Sequence, residues 1–367
     1  MMKTVGIDAR LYSQTGVGVY IRNLVYYLQG ISDNNLKFYI YLTEEDFIKV
    51  IFHDKRFIKR LADYKWHSFG EQVGFLKTVN QDKLDLMHFT YFSYPIFYNR
   101  HFIATVHDIT PLIYKTGRAS TKNPLIYYFK HLIFKYVLAS QIKKAKAIIT
   151  PTKTVKEQLV SIYGKNYSNK VWTVYEGVNY ELLQTKENND LKKQFSKPFF
   201  IYVGNFYPHK NIENLIKAFS KIKKDIQLIL IGPKDYFSSR LLQFINKLEQ
   251  DNKVKFFFTN RTEDFVFFYK NASALIHPSL SEGFGLPIIE AAYFNCPVIA
   301  SNIAVFKEIL GDSYISFDPT RIEDIGLKIE EFLTERPCFD YKKIVDRFLF
   351  KEMAEKTLKI YLDVLNR

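Results

Sequence analysis

The stretch "HPSLSEGFGLPIIEAAYFNCPVIAS", from His277 to Ser301, leaves one apolar segment, crosses a glycine-containing loop and a helix, and enters the next apolar segment. "SALIHP" before the loop and "PVIAS" at the far end are short and continuously apolar, as strands buried on both faces of a parallel sheet are. Between them, Gly283 and Gly285 permit a tight loop whose backbone amides can approach a ligand closely. Pro287 suits the first turn of a helix, where its missing N–H costs nothing. The start of that helix offers unpaired N–H groups and a partial positive charge, a ready site for an anion. Glu282 stands before the loop, and Glu290, after seven intervening residues, lies about one turn inside the helix. Either carboxylate alone reads as a surface residue at a turn. Together they flank a phosphate-sized nest of amides, with one placed for sugar hydroxyls and the other for ribose hydroxyls.

The same strand–helix alternation runs outward in both directions. "TVGID" from Thr4, "FYIYL" from Phe38, "LDLMHF" from Leu84, "FIATV" from Phe102 and "AIIT" from Ala147 form a first series of strands. "FFIYVG" from Phe199, "IQLILIG" and "VKFFF" lead the second series up to the opening stretch. Each is followed by a helical pattern, which predicts βαβ units and a doubly wound α/β architecture. The polar, charge-mixed segment from Tyr180 to Pro198 has the composition of an interdomain connection. Residues 1–185 and 186–351 are therefore expected to form two Rossmann-like domains, followed by a terminal helix over 352–367.

Four further segments carry chemistry. In "YVGNFYPHKNIENLIKAFS" from Tyr202, Gly204 and Asn205 open a turn, and Lys210 precedes an amphipathic helix. A lysine just ahead of a helix N-terminus gives phosphate both a point charge and a set of amides. In "GIDARLYSQTGVGVYIRNLVYYL", Gly16 and Gly18 follow the first strand, but Ile21 occupies the third glycine position of a dinucleotide fingerprint. In "TVHDITPLIY", His107 sits at a strand's C-terminal end, where open α/β sheets place their ligands, and Asp108 reads as a local cap. The segment from Asn123 to Ala147 interleaves Tyr127, Tyr128, Phe129 and Phe134 with Lys130, Lys135, Lys143, Lys144 and Lys146. Such a helix lies either on an anionic membrane surface or against the core with a solvated basic face.

The string from Glu282 to Glu290 resembles the E-x7-E signature of family-4 glycosyltransferases, and the Lys210 segment is similar to that family's "VG…KN" motif. The resemblance implies a GT-B fold, in which two Rossmann-like domains face each other across a cleft and the final helix packs back on the first. It places Glu282 by the donor sugar, Glu290 on the ribose, and Gly283, Phe284, Gly285, Leu286 and Lys210 on sugar and diphosphate. Gly16 and Gly18 would face the diphosphate and the acceptor, with His107 close to the transferred sugar. Asn205 departs from the family's usual Arg, and "VYEGVN" from Val174 resembles the interdomain "NGVD" segment with Glu176 and Asn179 as departures, a marker of the fold. The implied activity is a retaining hexosyl transfer from a GDP- or UDP-sugar, mannose being favoured, to a saccharide or lipid-linked saccharide of a cell-surface polysaccharide. The family view of retention is front-face substitution, and GT-B enzymes generally use neither metal nor further cofactor.

Composition agrees with that expectation. The 367 residues carry a net charge of +14, which calls for an anionic partner. A nucleic-acid-binding protein would concentrate this charge in a patch or a recognisable module, whereas here it is dispersed. A nicotinamide-dependent dehydrogenase would need the missing third glycine. Cys296 and Cys338 show neither pairing nor metal-ligand spacing, which fits a reducing cytoplasm. No apolar run reaches the roughly 18 residues of a spanning helix, so the chain is expected to be cytoplasmic, either soluble or peripheral at the inner face of the membrane. The 33 Phe and 26 Tyr read as the codon bias of an AT-rich genome.

Overall fold

The computed structural model describes residues 2–32, 35–114 and 124–367, without the side chains of 124–127 and 130. The chain divides into two compact units, Met1–Glu176 with Phe350–Arg367, and Gly177–Leu349.

The first unit is built on β1 (Lys3–Asp8), β2 (Leu36–Leu42), β3 (Phe57–Leu61), β4 (Leu86–Phe89), β5 (Phe102–Thr105), β6 (Ala147–Thr150) and β7 (Val171–Thr173). All pairings are parallel, in the order β3-β2-β1-β4-β5-β6-β7. The central strands β4, β5 and β6 are buried along their whole length, which is why they read as unbroken apolar runs. The helix Val17–Gln29 covers one face, and the terminal helix Phe350–Leu365 packs on it and on β4. Met353, Ala354, Leu358, Tyr361 and Val364 form the buried stripe of that last helix, spaced as a helical face requires. Tyr361 also reaches His88 of β4, O–Nδ1 2.7 Å.

The second unit contains β8 (Phe199–Val203), β9 (Gln227–Ile231), β10 (Val254–Phe257), β11 (Ala274–His277), β12 (Val298–Ser301) and β13 (Ile315–Phe317). Its order, β10-β9-β8-β11-β12-β13, is again all parallel. Renumbered within the unit, it is the 3-2-1-4-5-6 order of the dinucleotide-binding sheet. The segment expected to connect the domains belongs to this unit. Its short helix Tyr180–Gln184 packs on the helix Thr262–Asn271, and Asn188 bonds Asp264 at 2.7 Å. Five of the 33 phenylalanines form one cluster here, Phe195, Phe199, Phe257 and Phe267 each meeting Phe268 edge-to-face.

Each sheet reverses its winding once, between β1 and β4 and between β8 and β11. At such switch points helices diverge to opposite faces and leave a crevice beyond the carboxyl ends of the strands. The loops that carry the expected site residues begin there.

Candidate functional site

In the second unit the loops after β8 and β11 meet. The chain leaves Val203 through Gly204 and Asn205, makes a tight turn at Pro208–Lys210, and enters the helix Ile212–Ser220. Asn211, at φ +62°, makes that entry and is anchored by its side-chain amide on the Pro319 carbonyl at 2.7 Å. Leu280 N–H donates to the His209 carbonyl at 2.8 Å and ties the two loops together.

That tie brings Lys210 to Glu282. Lys210 Nζ lies 2.6 Å from Glu282 Oε1, and the same oxygen accepts from Ser279 Oγ at 2.7 Å and faces His277 Nε2 at 2.9 Å. Both members of the ion pair are largely buried. Burial alone would raise the Glu282 carboxyl, but the Lys210 charge and the bonds from His277 and Lys210 outweigh it and hold the group well below the usual carboxylate range. The His277 ring stacks on Tyr202 at 5.5 Å, and burial lowers its basicity. All three contacts fall on Oε1, so Oε2 takes no part in them. The sequence does not announce Glu282 as a neighbour of Lys210; the His209–Leu280 tie places the two loops side by side.

Gly285 then starts the helix Leu286–Tyr293 at φ +94°, where a Cβ would lie 2.9 Å from the Phe306 ring. Only glycine takes that conformation without strain. Gly283, Phe284 and Leu286 complete the loop, with Phe284 buried against Phe348. Glu290 lies inside the helix and accepts from Tyr269 OH at 2.7 Å. Burial pushes its carboxyl up to about 7, and the Tyr269 bond offsets only part of that. Folded Glu290 therefore binds its proton more tightly than the unfolded chain does. Its contribution to stability is full at low pH and is lost as pH rises from 4.5 through about 7. Glu290→Gln should remove that part of the slope, which unfolding midpoints measured across the same interval will read.

The remaining expected residues lie in the first unit. Gly16, at φ +64°, begins the helix Val17–Gln29, and a Cβ on Gly18 would strike the Tyr12 and Leu11 carbonyls at 2.6 and 2.7 Å. His107 follows β5, with Nε2 2.9 Å from the Thr90 carbonyl and Nδ1 3.2 Å from Glu176 Oε1. The edge of Tyr20 meets its ring at 4.8 Å. Asp108 accepts from Thr110 N–H at 2.7 Å, a local pairing two residues along the chain rather than the cap of the helix Thr110–Ile113, whose N-cap is Ile109. Glu176 is more than a marker of the fold, since it holds His107; so do His277, Ser279 and Tyr269 hold the two site carboxylates. A small pocket beyond β1 and β4 is lined by Asp8, Arg10, Trp66, Thr90, Tyr91 and Ser93 among others. Among the described residues no cluster of three His, Cys, Asp or Glu is arranged to hold a metal.

Comparison with known proteins decides the family. The model of "Glycosyltransferase Family 4" matches residues 15–182, and that of "Glycosyl transferases group 1" matches residues 184–346, so the pair spans both units. The chain is a glycosyltransferase. Among relatives of this glycosyltransferase, the O-antigen chain mannosyltransferase RfbU of Salmonella typhimurium is 28% identical over 298 residues, covering 81% of this chain and 78% of the relative. The serotype-specific mannosyltransferase WbdA of Escherichia coli is 33% identical over 168 residues, covering 44% of this chain and 21% of the relative. Among solved structures, sucrose-phosphate synthase from Thermosynechococcus elongatus aligns with a TM-score of 0.81 at 17% identity, covering 99% of each chain. HepE from Anabaena, solved with UDP and glucose, aligns at 0.75 and 14% identity over 98% of this chain and 100% of its own. At these identities the two structures establish the GT-B fold.

Proposed function

We propose that this glycosyltransferase moves a hexosyl group, mannose by the names of its relatives, from a nucleoside-diphosphate sugar to a saccharide or lipid-linked saccharide, with retention of the anomeric configuration. The observation that carries this reading is the Lys210–Glu282 pair at the switch point of the second sheet, beside the amide-rich start of the Leu286–Tyr293 helix. Lys210 and the Gly283–Leu286 amides take the diphosphate, Glu282 orients the donor sugar through Oε2, and Glu290 takes the ribose. Gly204 and Asn205 shape the turn beneath the phosphates, and His107 with the Gly16–Gly18 loop serves the transferred sugar and the acceptor.

No carboxylate is assigned as a nucleophile. In front-face substitution the acceptor oxygen bonds C1 on the face that the diphosphate leaves. The C1–O bond to the diphosphate breaks, and the acceptor's proton passes to the departing phosphate oxygen. Lys210 and the helix amides stabilise the charge that develops on that oxygen. A screen of GDP- and UDP-hexoses for donor hydrolysis identifies base and sugar, and nucleoside diphosphates, but not NAD or single-stranded DNA, should stabilise the protein thermally. Stabilisation by NAD alone overturns the reading. Glu290→Ala should weaken nucleoside diphosphate binding by about 1–3 kcal/mol, and unchanged affinity by calorimetry removes the ribose assignment.

The helix Pro124–Lys144 supports a place for this chemistry at the cytoplasmic face of a membrane. Asn123 and the Tyr127 and Lys130 side chains lie outside the described residues. The helix buries Val137, Leu138 and Ile142, and its other face is not simply basic. Tyr128, Phe129, Ile133 and Tyr136 are all more than half exposed, alongside exposed Lys135, Lys143 and Lys144. Aromatic side chains among lysines match the headgroup region of an anionic leaflet, where each lysine contributes about 1 kcal/mol. No helix among the described residues is long and apolar enough to cross a membrane. The protein should sediment with anionic vesicles at low salt and release at high salt. A variant with Lys135, Lys143, Lys144 and Lys146 changed to Gln should stay in solution. Equal sedimentation of both proteins, or of neither, refutes the attachment.

A further inference from the structure

We infer that Glu176 is a positioning residue that holds His107 in its doubly protonated form, so that the ring presents a fixed positive charge and not a base. The argument is a count of hydrogens. The Thr90 carbonyl oxygen, 2.9 Å from His107 Nε2, has no proton to give, so Nε2 carries one. Nδ1 lies 3.2 Å from Glu176 Oε1, also an acceptor when the carboxyl is ionised. A neutral imidazole has a single N–H and serves only one of these two oxygens. The second hydrogen therefore sits either on Nδ1 or on Glu176. An imidazole takes a proton in preference to a carboxyl by about two units of intrinsic pKa, and the imidazolium–carboxylate bond is charge-assisted.

The surroundings agree with that placement. His107 and Glu176 are both buried, so neither is paired mainly with water. Among the described residues, Tyr20, on the helix Val17–Gln29, meets the ring edge-on, His88, on β4, lies close enough to feel its charge, and the adjacent Asp108 is engaged with Thr110 N–H. Tyr20 donates or accepts at Thr105 Oγ1, 3.1 Å away, and burial raises its phenol to the point where it carries no charge. Burial pushes His88 down to about 3, and the neighbouring His107 pushes in the same direction. Among the described hydrogen bonds Glu176 is the carboxylate that meets His107, and His88 does not compete with His107 for the role of cation.

The consequence for the reaction rests on the proposed role of His107 beside the transferred sugar. With both N–H groups engaged, the ring cannot accept the acceptor's proton and is held in one orientation by bonds to the segments that follow β4 and β7. It offers its charge to the electrostatics of a reaction in which a diphosphate departs.

Glutamine at position 176 tests this without changing the shape of the site, because its amide N–H can supply the hydrogen that Nδ1 would otherwise carry. In protein labelled with 15N-histidine, long-range proton–nitrogen spectra near neutral pH distinguish a protonated ring nitrogen from a bare one. His107→Asn assigns the signals among the eight histidines. The native protein should show both His107 nitrogens protonated, and Glu176→Gln should show Nδ1 bare. A bare His107 nitrogen in the native protein overturns the inference. In the assay, Glu176→Gln should lower kcat about tenfold to a hundredfold at an unchanged melting temperature, with the donor KM within about twofold. Glu176→Asp should recover part of the loss. Native kcat in Glu176→Gln, with Nδ1 bare, overturns the positioning role. Native kcat in His107→Ala instead overturns the assignment of His107 to the reaction, and the spectra then decide the proton count alone.

Discussion

Lys210→Met should lower transfer by about two to three orders of magnitude, the loss expected when one preorganised group facing a developing negative charge is removed. The ammonium lies 2.6 Å from Glu282 Oε1, and under the proposed mechanism it also faces the leaving diphosphate. Breaking a buried ion pair typically costs about 3–5 kcal/mol of stability. Here Ser279 and His277 remain on Glu282 Oε1, so the cost should fall below that range, near about 2 kcal/mol. The variant is thus expected to fold, to melt somewhat earlier, and to turn over very slowly. Glu282→Gln gives the complementary result: it keeps an oxygen and the side-chain shape but loses the charge that holds Lys210. Initial rates at saturating donor, with denaturant unfolding on the same preparations, separate the two effects. If Lys210→Met transfers at the native rate, or loses activity only in proportion to its unfolded fraction, Lys210 is a structural residue.

The sequence shows this site unevenly, and the reason is distance along the chain. Glu282, the glycine loop and Glu290 lie within a single βαβ unit, where spacing fixes geometry. Lys210 is visible because it precedes a helix, but its partner stands 72 residues away, and no local pattern announces such a contact. Glu176 is concealed in the same way, 69 residues from His107. Strands behave similarly. The central ones are unbroken apolar runs because both of their faces are buried. The three that the apolar runs do not reveal, β3, β7 and β13, all lie at sheet edges. Edge strands are short or carry charge, as the "FIKRL" of β3 and the "VWT" of β7 do, since an exposed edge must not invite another chain. The Pro124–Lys144 helix was ambiguous for a different reason: it is apolar on both its buried and its exposed faces, so periodicity does not say which is inward.

Arg10→Met should destabilise the first unit by about 3–5 kcal/mol, the cost of leaving buried carboxylates without their cation. Arg10 follows β1 and sends Nε and Nη2 to the two oxygens of Asp8, at 2.8 and 2.7 Å. Nη2 also reaches Glu71 Oε1 at 2.7 Å, Nη1 reaches the Tyr64 carbonyl at 3.1 Å, and the guanidinium lies over the Phe75 ring at 3.8 Å. The three charged side chains are 2%, 6% and 1% exposed, so water does not take over when one is removed. Glu71 keeps bonds from Ser93 Oγ and His67 N–H, but Asp8 loses its only side-chain donor among the described contacts. Lysine is not a substitute, because a single ammonium cannot reproduce the planar fork that spans two carboxylates; Arg10→Lys should recover only part of the loss. The exposed Glu45–Lys49 pair is the control, with its members 71% and 66% exposed. Breaking it should leave the unfolding midpoint where it was. Urea unfolding of the four proteins, native, Arg10→Met, Arg10→Lys and Lys49→Met, decides the matter. A midpoint for Arg10→Met no lower than that of Lys49→Met would show that the cluster beyond β1 contributes nothing to the stability of the fold.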